Sequence, residues 1–214
     1  MENNVDLSKV KCVVTDFDRT LYSFPATDNS EYYYVSFLIS KGYLAKNRKT
    51  FGGLKEKFPK WHNLQRAMYF LKSIGKSPKE MLDYMDKNPY NFITEKTVFI
   101  TPNHIENLAK KYPVYLISDS SQGYIKHYLK IANIKKGWFV NCYSNNYESD
   151  EMTKTPYMKK IIDETGFAPN EILMVGDSYQ NDIIPAKQLG MQTYLVNTVD
   201  ETEYIFNKLA SLKK

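Results

Sequence analysis

Apolar and polar positions alternate along the chain in two different rhythms. Val10 to Thr15 is a short apolar run that ends at Asp16. Such a run, bounded by polar residues, predicts a buried strand. From about residue 29 to 95 the rhythm is helical, with apolar residues at helical spacing in 30–41 and 62–74. Ser77-Pro78-Lys79-Glu80 has the form of a capping box with proline at the first helical position, and predicts a helix through about Lys87, stopped near Asn88-Pro89. After residue 96 helices and strands alternate. Helices are predicted from Thr101-Pro102 to about Lys111, Ser121 to Ile131, Thr155-Pro156 to about Thr165, 179–189 and 200–212. Strands are predicted at Pro113–Ser118, 138–142, Glu171–Gly176 and 192–196. Strands separated by helices imply βαβ units and a parallel sheet. The expectation is an α/β domain interrupted, after its first strand, by a helical insert.

Composition narrows the classes. The chain has 214 residues, 43% hydrophobic and 25% charged, which excludes wholesale disorder and simple coiled coil. A chain of this length can bury about 70% of its unfolded surface. Cys12 and Cys142 are its two cysteines, too few for a disulfide scaffold or a cysteine-rich zinc site. The N-terminal stretch does not read as a signal peptide, and the apolar runs are far shorter than the ~20 residues a membrane span needs. The reading is a soluble, cytoplasmic protein, a monomer or weak homodimer.

The formal charge is +5, and all of the excess falls between Tyr22 and Glu95, which hold 12 basic and 7 acidic residues. A lysine-rich solvated face accounts for this, as does attraction to an anion or nucleic acid. The aromatics Tyr32, Tyr33, Tyr34, Phe51, Phe58, Trp61, Tyr69 and Phe70 in the same block read as core packing rather than base-stacking platforms.

Ligands of open parallel sheets bind at the carboxyl ends of the strands. Three predicted strands end in polar clusters: Asp16-Phe17-Asp18-Arg19-Thr20, Ser118-Asp119-Ser120, and Gly176-Asp177-Ser178 followed by Asn181-Asp182. Lys154 precedes Thr155-Pro156 after a fourth. Converging carboxylates repel one another unless a cation neutralises them, and an oxygen-rich set suits Mg²⁺ together with a substrate phosphate. His62, His104 and His127 are scattered and read as structural or surface residues.

These segments resemble the four motifs of the haloacid dehalogenase-like (HAD) hydrolases. VVTDFDRTLY is similar to the first, Asp-x-Asp-x-Thr after an apolar strand; YLIS to the second; Lys154 before a proline to the third; ILMVGDSYQND to the fourth. The resemblance covers residues 10–197 and implies a Rossmann-like parallel-sheet core (1–21 and 97–214) with an inserted helical-bundle cap (22–96), joined by hinge strands within 21–31 and about 88–97. It implies that Asp16 is the nucleophile, that Asp18 protonates the leaving oxygen and then activates water, and that Ser118 and Lys154 bind phosphate oxygens. Mg²⁺ would lie on Asp16, Asp177 and the backbone carbonyl of Asp18. Thr20 would support the loop, the amide of Asp119 would face the phosphate, and Ser178 and Asp182 would support Lys154 or a metal-bound water. The activity implied is a Mg²⁺-dependent phosphatase acting on a small phosphorylated metabolite such as a nucleotide, vitamin or sugar phosphate.

Departures from the pattern are Arg19 where glycine is common, Asp119 where asparagine is more usual, and Thr155 between Lys154 and its proline. Gly52-Gly53 reads as a loop within the insert. Competing readings are a phosphomutase with the same machinery, a dehalogenase (against which Asp18 argues), a phosphonate hydrolase using Lys41 or Lys46, and a non-catalytic nucleic-acid-binding protein.

Overall fold

The strands that the apolar runs predict form one parallel sheet. In this computed structural model, the residues described are 5–23, 30–44, 48–58, 63–88, 96–144 and 153–212. The sheet has five strands: β1 (Cys12–Thr15), β4 (Val114–Ser118), β5 (Asn141–Ser144), β6 (Ile172–Gly176) and β7 (Gln192–Leu195), in spatial order β5-β4-β1-β6-β7. All neighbours are parallel. The chain builds from β1 outward through β4 to β5, then returns to β6 on the other side of β1. The order therefore reverses next to β1, where open α/β sheets form their ligand crevice.

Both faces of the sheet are covered, which is why its strands are apolar at successive positions rather than alternately. Val13, Val114, Leu116, Leu173 and Val175 pack on one face with α5 (Pro102–Ala109), α6 (Gln122–Ile131) and α9 (Val199–Ser211). Cys12, Val14, Tyr115, Ile117, Ile172 and Met174 pack on the other with α7 (Thr155–Thr165) and α8 (Ile184–Gln188). Burial raises the thiols of Cys12 and Cys142 to about 12 and about 11, so both are inert packing groups.

Between β2 (Tyr22–Ser23) and β3 (Val98–Phe99) the described residues form four helices: α1 (Ser30–Ser40), α2 (Arg48–Lys57), α3 (Asn63–Ser73) and α4 (Lys79–Lys87). β2 and β3 pair antiparallel, so the chain leaves and re-enters the sheet domain side by side. Phe37, Leu38, Met68, Phe70, Leu71, Met81 and Met85 are fully buried and continue the core of the first sheet face. The insert also touches α6 directly: Asp86 Oδ1 accepts from the Gly123 backbone N–H at 2.8 Å. A Cβ at residue 123 would lie 2.6 Å from that oxygen and 2.9 Å from Asp86 Cα, so only glycine allows the approach.

Four local expectations need correction. Gly52 and Gly53 sit inside α2, not in a loop. The capping box does not form, because Ser77 Oγ accepts from Lys79 N–H and the Glu80 carboxylate is taken by the Tyr43 hydroxyl at 2.7 Å. β5 starts at Asn141, since Lys136–Trp138 makes a 3-10 turn and Phe139 turns inward. The predicted helix 179–189 opens as a π turn over Tyr179–Ile183 before α8, with Ile183 N–H reaching Ser178 O, five residues back. Pro185 has no N–H to extend a regular ladder through this segment. Among the described residues no helix is long and apolar enough to cross a membrane.

Candidate active site

Strand register brings the polar clusters together. Thr15 pairs with Leu116 on one side and Val175 on the other, so the ends of β1, β4 and β6 lie at one edge of the sheet. Asp16, Ser118 and Asp177 follow at that edge, and the Asp16 N–H is still tied to Val175 O at 2.9 Å. Lys154 arrives from the start of α7.

Lys154 joins the clusters. Its Nζ donates to Asp16 Oδ1 at 2.5 Å and to Asp182 Oδ1 at 2.7 Å, with all three side chains buried. Burial disfavours its charge, but Asp16 first and Asp182 next outweigh that and hold the ammonium well above its ordinary pKa. Asp119 adds to the same effect. Lys159 and Lys160, farther along α7, are exposed. Thr20 is fully buried and donates to the remaining Asp16 oxygen at 3.1 Å, so it orients Asp16 itself rather than merely bracing the loop. Ser178 N–H holds Asp182 Oδ2 at 2.9 Å.

Asp16, Asp177 and Asp182 each offer a carboxylate oxygen within 4.8 Å of the others. Three carboxylates against one ammonium leave two negative charges, which one divalent cation would neutralise. Burial, then repulsion from Asp16 and Asp182, raises Asp177 to about 8. Burial and Asp16, opposed by Lys154, raise Asp182 to about 7. An all-oxygen, carboxylate-rich set of this kind fits Mg²⁺. The metal expectation named Asp16, Asp177 and the Asp18 carbonyl; the structure adds the Asp182 carboxylate to the cluster.

These shifts have a consequence for stability. Carboxylates raised above 3.8 on folding contribute stability that is fully present below about pH 4 and is lost as pH climbs through their folded values. A bound divalent cation reverses that loss by neutralising the deprotonated carboxylates, for which it must compete with protons at lower pH. The thermal midpoint shift caused by Mg²⁺ is therefore expected to be larger at pH 8.5 than at pH 6. At a hundredfold excess over Kd it should reach about 5–10 °C. A scanning fluorimetry shift with no pH dependence would count against this cluster as the metal site.

Asp18 stands apart from the acidic cluster. Its Oδ2 accepts from Ser120 Oγ at 2.7 Å and Ser118 Oγ at 3.2 Å, and its Oδ1 accepts from the Tyr22 hydroxyl. Burial and the charge of Asp16 raise its pKa, with the Tyr22 and Ser120 hydrogen bonds opposing them. Ser118 Oγ also accepts the Ser120 N–H at 2.9 Å. Ser120 and Tyr22 are the site residues that the motif reading passed over, although both lie inside the polar clusters or motif segments it quoted. Arg19 is exposed at φ 63, a left-handed conformation that explains why glycine is common there, and its charge acts on Asp177.

Gly176 is required by the same packing. A Cβ there would lie 2.6 Å from Asp182 Cγ and 2.8 Å from its Cβ, and Asp182 is held on both oxygens with nowhere to retreat. Gly176→Ala is expected to cost about 1–3 kcal/mol. Displacing Asp182 and Lys154 should also lower any turnover about 100-fold. Wild-type activity in the alanine variant would show that this contact does not hold the site.

His104 links α5 to α9, with Nδ1 2.6 Å from Asn207 Oδ1 and Nε2 3.3 Å from Glu203 Oε2. It is structural, as expected. His127 is half-buried on α6, and His62 lies outside the described residues. Of the lysines considered for phosphonate chemistry, Lys41 is exposed and Lys46 lies outside the described residues.

A HAD-hydrolase-like family model matches residues 154–204, the stretch from Lys154 through the Asp177 and Asp182 cluster. Solved structures match nearly the whole chain. A HAD-hydrolase of Bacillus subtilis, solved bound to magnesium, is 14% identical over 92% of this chain and 99% of its own, with a TM-score of 0.56. A haloacid dehalogenase-like hydrolase from Xanthomonas campestris is 12% identical over 95% and 93%, TM-score 0.54. A predicted phosphoglycolate phosphatase from Haemophilus somnus is 19% identical over 91% of each, TM-score 0.51. No curated protein matches the chain in sequence.

Proposed function

We propose that this chain is a member of the haloacid dehalogenase-like (HAD) superfamily and a Mg²⁺-dependent phosphatase that hydrolyses a small phosphomonoester through an aspartyl-phosphate on Asp16. The observation that carries the reading is the convergence of Asp16, Lys154 and the Asp177–Asp182 pair, from three separate segments, in one largely buried cluster. Phosphatases and a magnesium-bound hydrolase among the proteins of the same fold point the same way.

The residues divide the work as follows. Asp16 uses one carboxylate oxygen to attack phosphorus, and the electron pair of the breaking P–O bond passes to the leaving oxygen. Asp18 gives that oxygen a proton and becomes a carboxylate. It then takes a proton from the water that attacks the aspartyl-phosphate, which releases inorganic phosphate and restores both aspartates. A carboxylate nucleophile thus splits one difficult hydrolysis into two easier steps. Lys154 and Ser118 hold the phosphate oxygens, with the Asp119 amide beside them. Thr20 and Asp182 keep Asp16 and Lys154 in line. Asp16, Asp177 and the Asp18 carbonyl would hold Mg²⁺, with Asp182 beside them. The ion would supply charge neutralisation at the transferring phosphoryl group. The four helices between β2 and β3 act as the cap, excluding water and meeting the leaving group.

The test is release of phosphate from p-nitrophenyl phosphate. Turnover should require Mg²⁺, vanish with EDTA and return with excess Mg²⁺. Metal-independent turnover would overturn the proposal. A panel of phosphorylated metabolites then identifies the substrate, and isomerised product with little free phosphate would indicate a phosphomutase instead.

A further inference from the structure

The carboxyl group of Asp18 is gripped differently at its two oxygens. Oδ2 faces Ser118 Oγ and Ser120 Oγ, the hydroxyls at the end of β4 where the phosphate is expected. Oδ1 faces away from them and accepts from the Tyr22 hydroxyl. Tyr22 is almost wholly buried in β2, the strand by which the chain leaves for the insert. Its oxygen lies 3.0 Å from the Tyr124 hydroxyl on α6. Because the Tyr22 proton is directed at Asp18, the proton shared between the two tyrosines comes from Tyr124. The result is a one-way chain of hydroxyls, Tyr124 to Tyr22 to Asp18 Oδ1, in which each bond polarises the next.

We propose that Tyr22 is a positioning residue for Asp18: its hydroxyl occupies Oδ1 as an acceptor and leaves Oδ2 as the oxygen that exchanges protons with the leaving group and then with water. The inference rests on the reading of Asp18 as the acid and base. In a carboxylic acid only one oxygen carries the proton. Both oxygens accept hydrogen bonds here, but the partners of Oδ2 are serine hydroxyls at the phosphate end of β4, which can turn to the phosphate, whereas the Tyr22 hydroxyl on Oδ1 is held in the core. The proton therefore travels through Oδ2, leaving with the departing alcohol and returning from the hydrolytic water.

Tyr22→Phe tests this with little disturbance. The ring stacks on Tyr128 at 4.8 Å and meets Phe17 edge-on at 5.0 Å, contacts that phenylalanine keeps. The readout is kcat/KM over aryl phosphates from p-nitrophenyl, whose leaving group scarcely needs a proton, to phenyl, whose leaving group does. Tyr22→Phe is expected to lose about 10-fold on phenyl phosphate against about 2-fold on p-nitrophenyl phosphate, a fraction of the 10²–10⁴ available to acid–base catalysis. Equal losses on both substrates, or none, would overturn the inference, since a merely structural role lowers them together. Asp18→Asn separates the two layers. Graded losses there with flat losses in Tyr22→Phe sink the positioning role alone. Flat losses in Asp18→Asn sink the acid assignment and this inference with it. If Tyr22→Phe fails to fold, Tyr124→Phe provides the same reading: a smaller but still graded loss supports the chain of hydroxyls, and a flat one rejects it.

Discussion

Asp16→Asn should abolish phosphate release, lowering kcat by about 10⁴-fold or more, because the amide has the same shape but no nucleophilic oxygen to offer. The substitution removes one of three crowded carboxylates while Lys154 keeps its bond to Asp182, so the fold should survive. A melting temperature within a few degrees of wild type would assign the loss to chemistry. Rapid acid quenching of the wild-type enzyme during turnover should leave phosphate covalently attached to the chain, and the variant should carry none. If the variant keeps more than about a hundredth of wild-type activity, position 16 is not the nucleophile.

The second large effect is on stability. Lys154→Met removes the ammonium that sits between Asp16 and Asp182 and leaves their carboxylates facing each other in a buried site. Removing one partner of a buried ion pair costs about 3–5 kcal/mol. For a chain of this size that corresponds to a melting temperature lower by about 6–20 °C without metal. Mg²⁺ should restore part of it. The double variant Lys154→Met/Asp182→Asn should be more stable than the single one, since the two sites share one interaction. Activity should fall about 10²–10³-fold even in the metal-loaded variant. An unchanged melting temperature in metal-free Lys154→Met would mean that the ammonium does not hold this cluster together.

The parallel-sheet core could be read from the chain because its signals are local and redundant. VVT, VYLIS and ILMVG are apolar at consecutive positions because each strand is covered on both faces. Where the signal was a single local motif, context overruled it. The Ser77–Glu80 box was undone by competing hydrogen bonds, from Lys79 N–H to Ser77 and from Tyr43 to Glu80, and the glycine pair at 52–53 was absorbed into α2. Intrinsic preferences of a few tenths to one kcal/mol lose readily to packing and to a better hydrogen-bond partner.

The candidate site divides along the same line. The order of Asp16, Asp18, Ser118, Lys154, Asp177 and Asp182, each placed beside a strand end, is a property of the sequence alone, and so is the implication of phosphoryl chemistry. Which carboxylate meets which cation is not. The pairing of Lys154 with Asp16 and Asp182 and the grip of Ser120 on Asp18 span 138, 28 and 102 residues in sequence, while Tyr22 grips Asp18 from only four residues away. Local patterning specifies secondary structure because the interactions that make it lie within one turn or one strand. Side-chain orientation across the crevice was decided only by the tertiary structure, where sheet register fixes distances and burial makes an unpaired charge too costly to leave.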